Sequence, residues 1–185
     1  MPGVYVLRKL PKRKNIRLKD YDYSQAGCYF ITICTKDRRC IFWKENADAV
    51  GTHSVRPIQS TYTLSNTGNI VKIAIENIPK IYRHVDIDIF MIMPNHIHMI
   101  MRIEDDGRDG GDGDGRTLCV PTSVTVTVSR VIKQFKEYVT KQIGFSIWQP
   151  GFHDHIIRNE PNYQRIWQYI DENPARWADD QYYAQ

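Results

Sequence analysis

The chain has 185 residues, 42% of them hydrophobic and 25% charged, and carries a net charge of +4. That length fits one domain with a proper core, and the composition is ordinary for a soluble globular protein. No apolar run approaches the ~18–20 residues needed to span a bilayer, and the N-terminus lacks the apolar stretch of a secretory signal. The expectation is a cytoplasmic protein with no membrane partner.

Residues 1–27 are predicted to form a basic arm. Its first nineteen residues contain seven Lys or Arg, among them Arg13, Lys14 and Arg17, and no acid. Such an arm suits a polyanion, because lysine and arginine displace counterions from phosphates. It also suits a tail kept for solubility. "CYFITICT" (28–35) reads as a buried strand with Cys28 and Cys34 on one face. No CxxC spacing occurs among the four cysteines, so reduced, mostly buried thiols are expected rather than zinc ligands. Residues 44–62 are polar and irregular, a long loop or insertion. Across 63–82, Ile70, Ile73, Ala74 and Ile78 recur near helical spacing, and Pro79 is expected to end the helix.

Two strands follow, "VDIDIFMIM" (85–93) and "HIHMIMRI" (96–103). Pro94-Asn95 between them reads as the tight turn of an antiparallel hairpin. Residues 104–116 form a flexible acidic Gly/Asp insert, with six acids and one arginine in Glu104–Gly115. No register of it supplies the acids of a calcium loop. A helix is predicted from about Ser129, with Val131, Ile132, Phe135, Tyr138 and Val139 on one stripe. The valine–threonine alternation before it is read either as a short strand or as the approach to the helix. "FSIWQPGFHDHII" (145–157) is a strand interrupted at Pro150-Gly151. Pro161 opens a helix over 161–173, and residues 178–185 are a tail. The order predicts an α+β, ferredoxin-like (βαββαβ) antiparallel sheet, with helices on one face and an added C-terminal helix. Residues 28–177 make the single domain. The fold alone decides little about function.

The chemistry begins at His96 and His98. Residues two apart on a strand share a face, so the two imidazoles are neighbours, while Ile97, Met99 and Met101 point to the opposite side. Such a pair either chelates one divalent ion, leaving positions open for another ligand and a substrate oxygen, or decorates a solvated sheet face. His153 and His155 repeat the spacing around an acid; they either line the same site or contact a nucleic acid. On the last helix, Tyr163, Ile166, Trp167 and Ile170 form the apolar stripe. Tyr169 lies off it, beside Arg165, and is the better accessible phenol. Arg165, Tyr169 and Asn173 stand one above another at i, i+4 and i+8, where a cation, a phenol and an amide oxygen could meet a phosphate and a metal. Asn173 is alternatively the cap of a short helix starting at Pro174. Trp148 and Phe152 either stack an unpaired base or belong to the core.

"MPNHIH", followed by "WQPGFHDHIIRNE" and "YIDENPARW", resembles the REP-associated tyrosine transposases, a family within the single-tyrosine HUH (His-hydrophobic-His) transposase group. The likeness extends over "YFITICT", "LSNTGNIV", the hairpin and the C-terminal third. It implies a ferredoxin-like core that cleaves and joins single-stranded DNA beside a folded hairpin, using Mg²⁺ or Mn²⁺. By position, His96 and His98 match the metal-binding triplet and Tyr169 the nucleophile, which would form a 5′-phosphotyrosine and free a 3′-hydroxyl. Asn173 stands where related single-tyrosine transposases carry a glutamine ligand. DNA contacts are assigned to Arg13, Lys14, Arg17, Lys133, Lys136, His153, His155, Arg158 and Arg165. The family includes monomers and dimers, so a homodimer is one expectation, and a nucleoid-associated location another. Two readings compete with catalysis at this point: a relative that binds hairpin DNA without cutting it, and an unrelated metal hydrolase using both histidine pairs.

Overall fold

The computed structural model describes residues 23, 25–44, 63–105 and 126–183. The basic arm with Arg13, Lys14 and Arg17, the polar 45–62 stretch, Cys119 and nearly all of the acidic insert lie outside these residues.

Four strands, β1 (Gly27–Cys34), β2 (Val85–Ile92), β3 (His96–Ile103) and β4 (His153–Ile157), make one sheet in the order β2-β3-β1-β4. All three pairings are antiparallel. Helices α1 (Asn66–Glu76) and α2 (Ile78–Ile81) link β1 to β2, α3 (Val128–Ile143) links β3 to β4, and α4 (Glu160–Glu172) follows β4. The class is therefore α+β, with the strand–helix order that the sequence predicts.

Alternation along the strands sorts the core into two layers. Tyr29, Ile31 and Ile33 of β1 and Ile97, Met99 and Met101 of β3 are fully buried against Val71 and Ile75 of α1 and Val131 and Ile132 of α3. The opposite parity, Cys28 and Phe30 with Ile100, meets Ile166 and Ile170 of α4. The sheet thus carries α1 and α3 on one face and α4 on the other.

Local chemistry explains most boundaries. Ser65 caps α1 by accepting from Gly68 N at 3.0 Å. Thr127 caps α3 by accepting from Arg130 N, so the residue just before α3 is its cap rather than part of a strand. Gly144, at φ 91°, closes α3 in the left-handed region where glycine has no Cβ to strain. Pro79 does not end the first helix, as the sequence suggests; the break falls at Asn77, and Pro79 sits in the first turn of α2, where its missing N–H costs nothing. Three members of the predicted apolar stripes stand at their edges: Ile73 is 53% exposed, Tyr138 44% and Trp167 39%. Each helix is covered along the centre of its stripe, and positions at the stripe's edge stay exposed.

Candidate active site

His96 and His98 open β3 directly after the Pro94-Asn95 turn, and both rings lie on the α4 face as strand parity requires. The expected open face is closed in the structure: the two residues are 0% and 1% exposed. Tyr182 packs over His96 with ring centroids 4.6 Å apart, Trp177 adds a second ring at 5.9 Å, and Phe30 stacks on His98 at 5.3 Å. The cover is tertiary, made by α4, the 3-10 segment Asn173–Asp179 and residues 180–183.

The two Nε2 atoms are 3.0 Å apart. His96 Nδ1 lies 2.9 Å from Asn95 Oδ1, and His98 Nδ1 lies 2.9 Å from Thr32 Oγ1. Burial, with Arg38 adding to it, pushes the His96 imidazole down to about 3. Burial and then the neighbouring His96 hold His98 well below its ordinary value. Both rings are therefore neutral near pH 7, the form in which imidazole ligates a metal.

Asp180 completes a cluster with the two histidines, its ligand atom and theirs all lying within 4.8 Å of one another. Tyr169 Oη is 3.3 Å from His98 Nε2 and 3.4 Å from Asp180 Oδ2. Burial and the Asp180 charge push this phenol up to about 12. Asn173 is 3% exposed and donates Nδ2 to Asp180 Oδ2 at 3.1 Å. Its side chain does not cap the segment that begins there. Asn173 Oδ1 is buried with no hydrogen-bond partner. Two neutral imidazoles, a carboxylate and an orphaned amide oxygen beside it are a donor set that suits a small divalent cation. Tyr169 also borders a cleft of about 720 Å³ whose rim carries Phe30, Arg165 and Arg176.

The remaining predicted residues fall in several places. Tyr163 is half-buried and donates to Asp88 at 3.0 Å, so it belongs to the packing against β2. His153 pairs in register with Thr32, which itself pairs with His98, so it extends the same row across the sheet. His155 Nε2 contacts Asn162 Nδ2 at 3.1 Å, and Arg165, on the rim of the Tyr169 cleft, donates to Asn162 Oδ1 at 3.0 Å. His153, His155 and Arg158 are exposed, while Asp154 between the histidines is buried. Lys133 lies exposed on α3 and pairs with Glu137. Lys136 donates to the carbonyls of Gln149 and Gly151 beneath the Trp148 ring, and burial pulls it down to about 8. Trp148 is 6% exposed and packs in the core with Phe42 and Phe135.

Sequence reasoning missed Asp180, Tyr182 and Thr32, and saw Asn95 only as a turn residue. Thr32 carried a signal, being the polar member of the Cys28–Phe30–Thr32–Cys34 face. Asp180 and Tyr182 carried none, since nothing local says where a segment after the last helix will fold.

The structure thus joins an antiparallel sheet, a histidine pair at the start of its third strand and a tyrosine on the last helix. A protein of Haemophilus influenzae described as uncharacterized is 37% identical over 180 residues, 93% of each chain. A putative REP-associated tyrosine transposase of the same organism is 25% identical over 155 residues, covering 84% of this chain and 74% of that one. A solved REP-associated tyrosine transposase bound to a REP hairpin matches the fold with a TM-score of 0.53 and 20% identity, over 86% of this chain and 74% of that one. No protein-family model matches. The chain thus resembles REP-associated tyrosine transposases in sequence and shares the fold of the solved one.

Proposed function

We propose that this protein cleaves and rejoins single-stranded DNA beside a hairpin through a covalent bond to Tyr169, with Mg²⁺ or Mn²⁺ held by His96, His98 and Asp180. The observation that carries the reading is the phenol itself: Tyr169 Oη stands within 3.4 Å of both His98 Nε2 and Asp180 Oδ2, on a helix 71 residues beyond His98 in sequence. Asn173 supports the set by orienting Asp180 and by offering its orphaned Oδ1 as a further oxygen donor. When bound, the cation supplies charge that neutralises the scissile phosphate and favours ionisation of nearby hydroxyls.

The residues divide the work as follows. Tyr169 Oη forms a bond to phosphorus while the bond from phosphorus to the 3′-oxygen breaks; the phenolic proton has Asp180 Oδ2 as its acceptor, and the departing 3′-oxygen takes a proton from water. The product is a 5′-phosphotyrosine and a free 3′-hydroxyl. Because phosphodiester energy is kept in the new bond, another strand's 3′-hydroxyl reverses the step without ATP. Arg165 and Arg176 on the cleft rim, with the exposed His153, His155 and Arg158, offer contacts to the DNA backbone. The arm residues Arg13, Lys14 and Arg17 add charge to the same partner.

The test incubates the protein with single-stranded hairpin DNA and Mn²⁺ and looks for an adduct that survives denaturation. Adduct formation in the unaltered protein and in Tyr163→Phe, with none in Tyr169→Phe, is the expected result. Binding without adduct under any metal would make this a hairpin-binding module. Cleavage that persists in Tyr169→Phe would make it a metal hydrolase.

A further inference from the structure

Asn95 sits in the turn before β3, and its side chain is tied into the fold on two sides. The residue is 1% exposed, and its Nδ2 donates to the backbone carbonyls of Tyr182 at 2.8 Å and Arg38 at 3.2 Å. Carbonyl oxygens only accept, so the amide has one orientation: nitrogen toward those carbonyls, oxygen toward His96. Asn95 Oδ1 is 2.9 Å from His96 Nδ1. An amide oxygen also only accepts, so Nδ1 carries the ring hydrogen. In a neutral imidazole the other nitrogen then holds a lone pair, and His96 Nε2 is the atom that faces His98.

We infer that Asn95 is a positioning residue that locks His96 in its Nδ1–H tautomer and so presents Nε2 as a ready donor to the divalent cation. The inference rests on the metal-site reading above. His98 is built differently. Its Nδ1 partner is the Thr32 hydroxyl, which donates or accepts equally well, so nothing on the Nδ1 side fixes its tautomer. With His96 Nε2 a lone pair, the 3.0 Å contact between the rings requires His98 Nε2 to be the donor when no cation is bound. Thr32 then donates to His98 Nδ1, and Tyr169 is free to donate to Asp180. Uptake of the cation asks His98 alone to move its hydrogen from Nε2 to Nδ1, while the Thr32 hydroxyl turns from donor to acceptor. One ring is preset and the other switches. Because the same amide holds the Tyr182 carbonyl, it also registers the segment carrying Asp180 against His96.

The experiment uses the full chain with isotope-labelled histidine, free of metal, and reads the protonated ring nitrogen from long-range proton–nitrogen correlations. His96 is expected as the Nδ1–H tautomer in the unaltered protein. Asn95→Leu should lose that single tautomer, whereas Asn95→Asp should keep it, since a carboxylate still accepts from Nδ1. Titration of the same proteins with Mn²⁺ should show about 10–100-fold weaker binding for Asn95→Leu, and a smaller loss for Asn95→Asp, which keeps the acceptor for Nδ1 but gives up the Nδ2 bonds to the Tyr182 and Arg38 carbonyls. A purely structural turn role predicts equal damage from both changes. An Nε2–H tautomer at His96 in the unaltered protein overturns the inference, as does full Mn²⁺ affinity in Asn95→Leu. Absence of Mn²⁺ binding by the unaltered protein overturns the metal-site reading instead, and the correlation spectrum still decides whether Asn95 sets the ring.

Discussion

Tyr169 and His98 are 71 residues apart in the chain, yet the phenol oxygen lies 3.3 Å from His98 Nε2. The contact exists because β3 displays His98 and Ile100 on one face, and α4 lays Ile166 and Ile170 onto that face. The small apolar layer is therefore the mechanical link between the tyrosine and the histidines.

That link can be broken on its own. Ile170 is fully buried, and Ile170→Ala should cost about 2–5 kcal/mol of stability. With α4 loosened, adduct yield should fall further than Mn²⁺ affinity does, because Tyr169 sits on α4 itself while two of the three ligands, His96 and His98, belong to β3 and only Asp180 follows α4. Equal losses in a paired gel and titration measurement would show that α4 does not position Tyr169.

Metal-free protein should lose stability as pH falls. His96 sits at about 3 and His98 well below its ordinary value when folded. In the unfolded chain each titrates near ~6.5. Above that value both states are neutral and the rings contribute nothing. As pH drops below it, the unfolded chain takes up protons that the native rings refuse, and stability is lost progressively down to the folded values. Between pH 7 and 5 this amounts to at most about 2 kcal/mol per ring. Urea unfolding at the two pH values, repeated with His98→Gln, checks the slope; an unchanged slope in the variant contradicts the assignment.

Gly68 is a packing requirement of the entry to α1. A Cβ there would run into the carbonyl oxygen of Phe42 and crowd Leu64. That carbonyl already accepts from Ser65 N at 2.8 Å, so it cannot easily retreat. Gly68→Ala should destabilise by about 1–3 kcal/mol despite alanine's better helix propensity. A thermal melt that rises instead would show that the loop yields.

Arg165 and Lys136 should behave in opposite ways. Arg165 is exposed on the rim of the Tyr169 cleft, and Arg165→Gln should weaken hairpin binding and lower its salt slope by about one. Lys136 spends its ammonium on two backbone carbonyls, so Lys136→Gln should lower stability with little change in the slope. Binding isotherms at several salt concentrations separate the two.

Much of the site was legible because its signals are local. Period-two alternation places His96 and His98 together, and helical periodicity separates Tyr169 from the stripe that holds Ile166 and Ile170. The same rules failed at Ile73, Tyr138 and Trp167, where hydrophobicity says a residue can be buried and only the neighbouring surface says whether it is. They failed again at Pro79, where proline opens a helical turn as readily as it closes one.

The sequence by itself determined the element order, the face shared by the two histidines and the helix side that carries Tyr169, since each depends on residues a few positions apart. Only the tertiary structure decided that the histidine face is closed, that Asp180 joins it, and that Asn95 ties a turn to the C-terminal segment through Tyr182. Those contacts span 87 residues in the case of Asn95 and Tyr182. They arise where α4 and the residues after it dock on the sheet, and docking is set by the fit of whole surfaces, which no local pattern encodes.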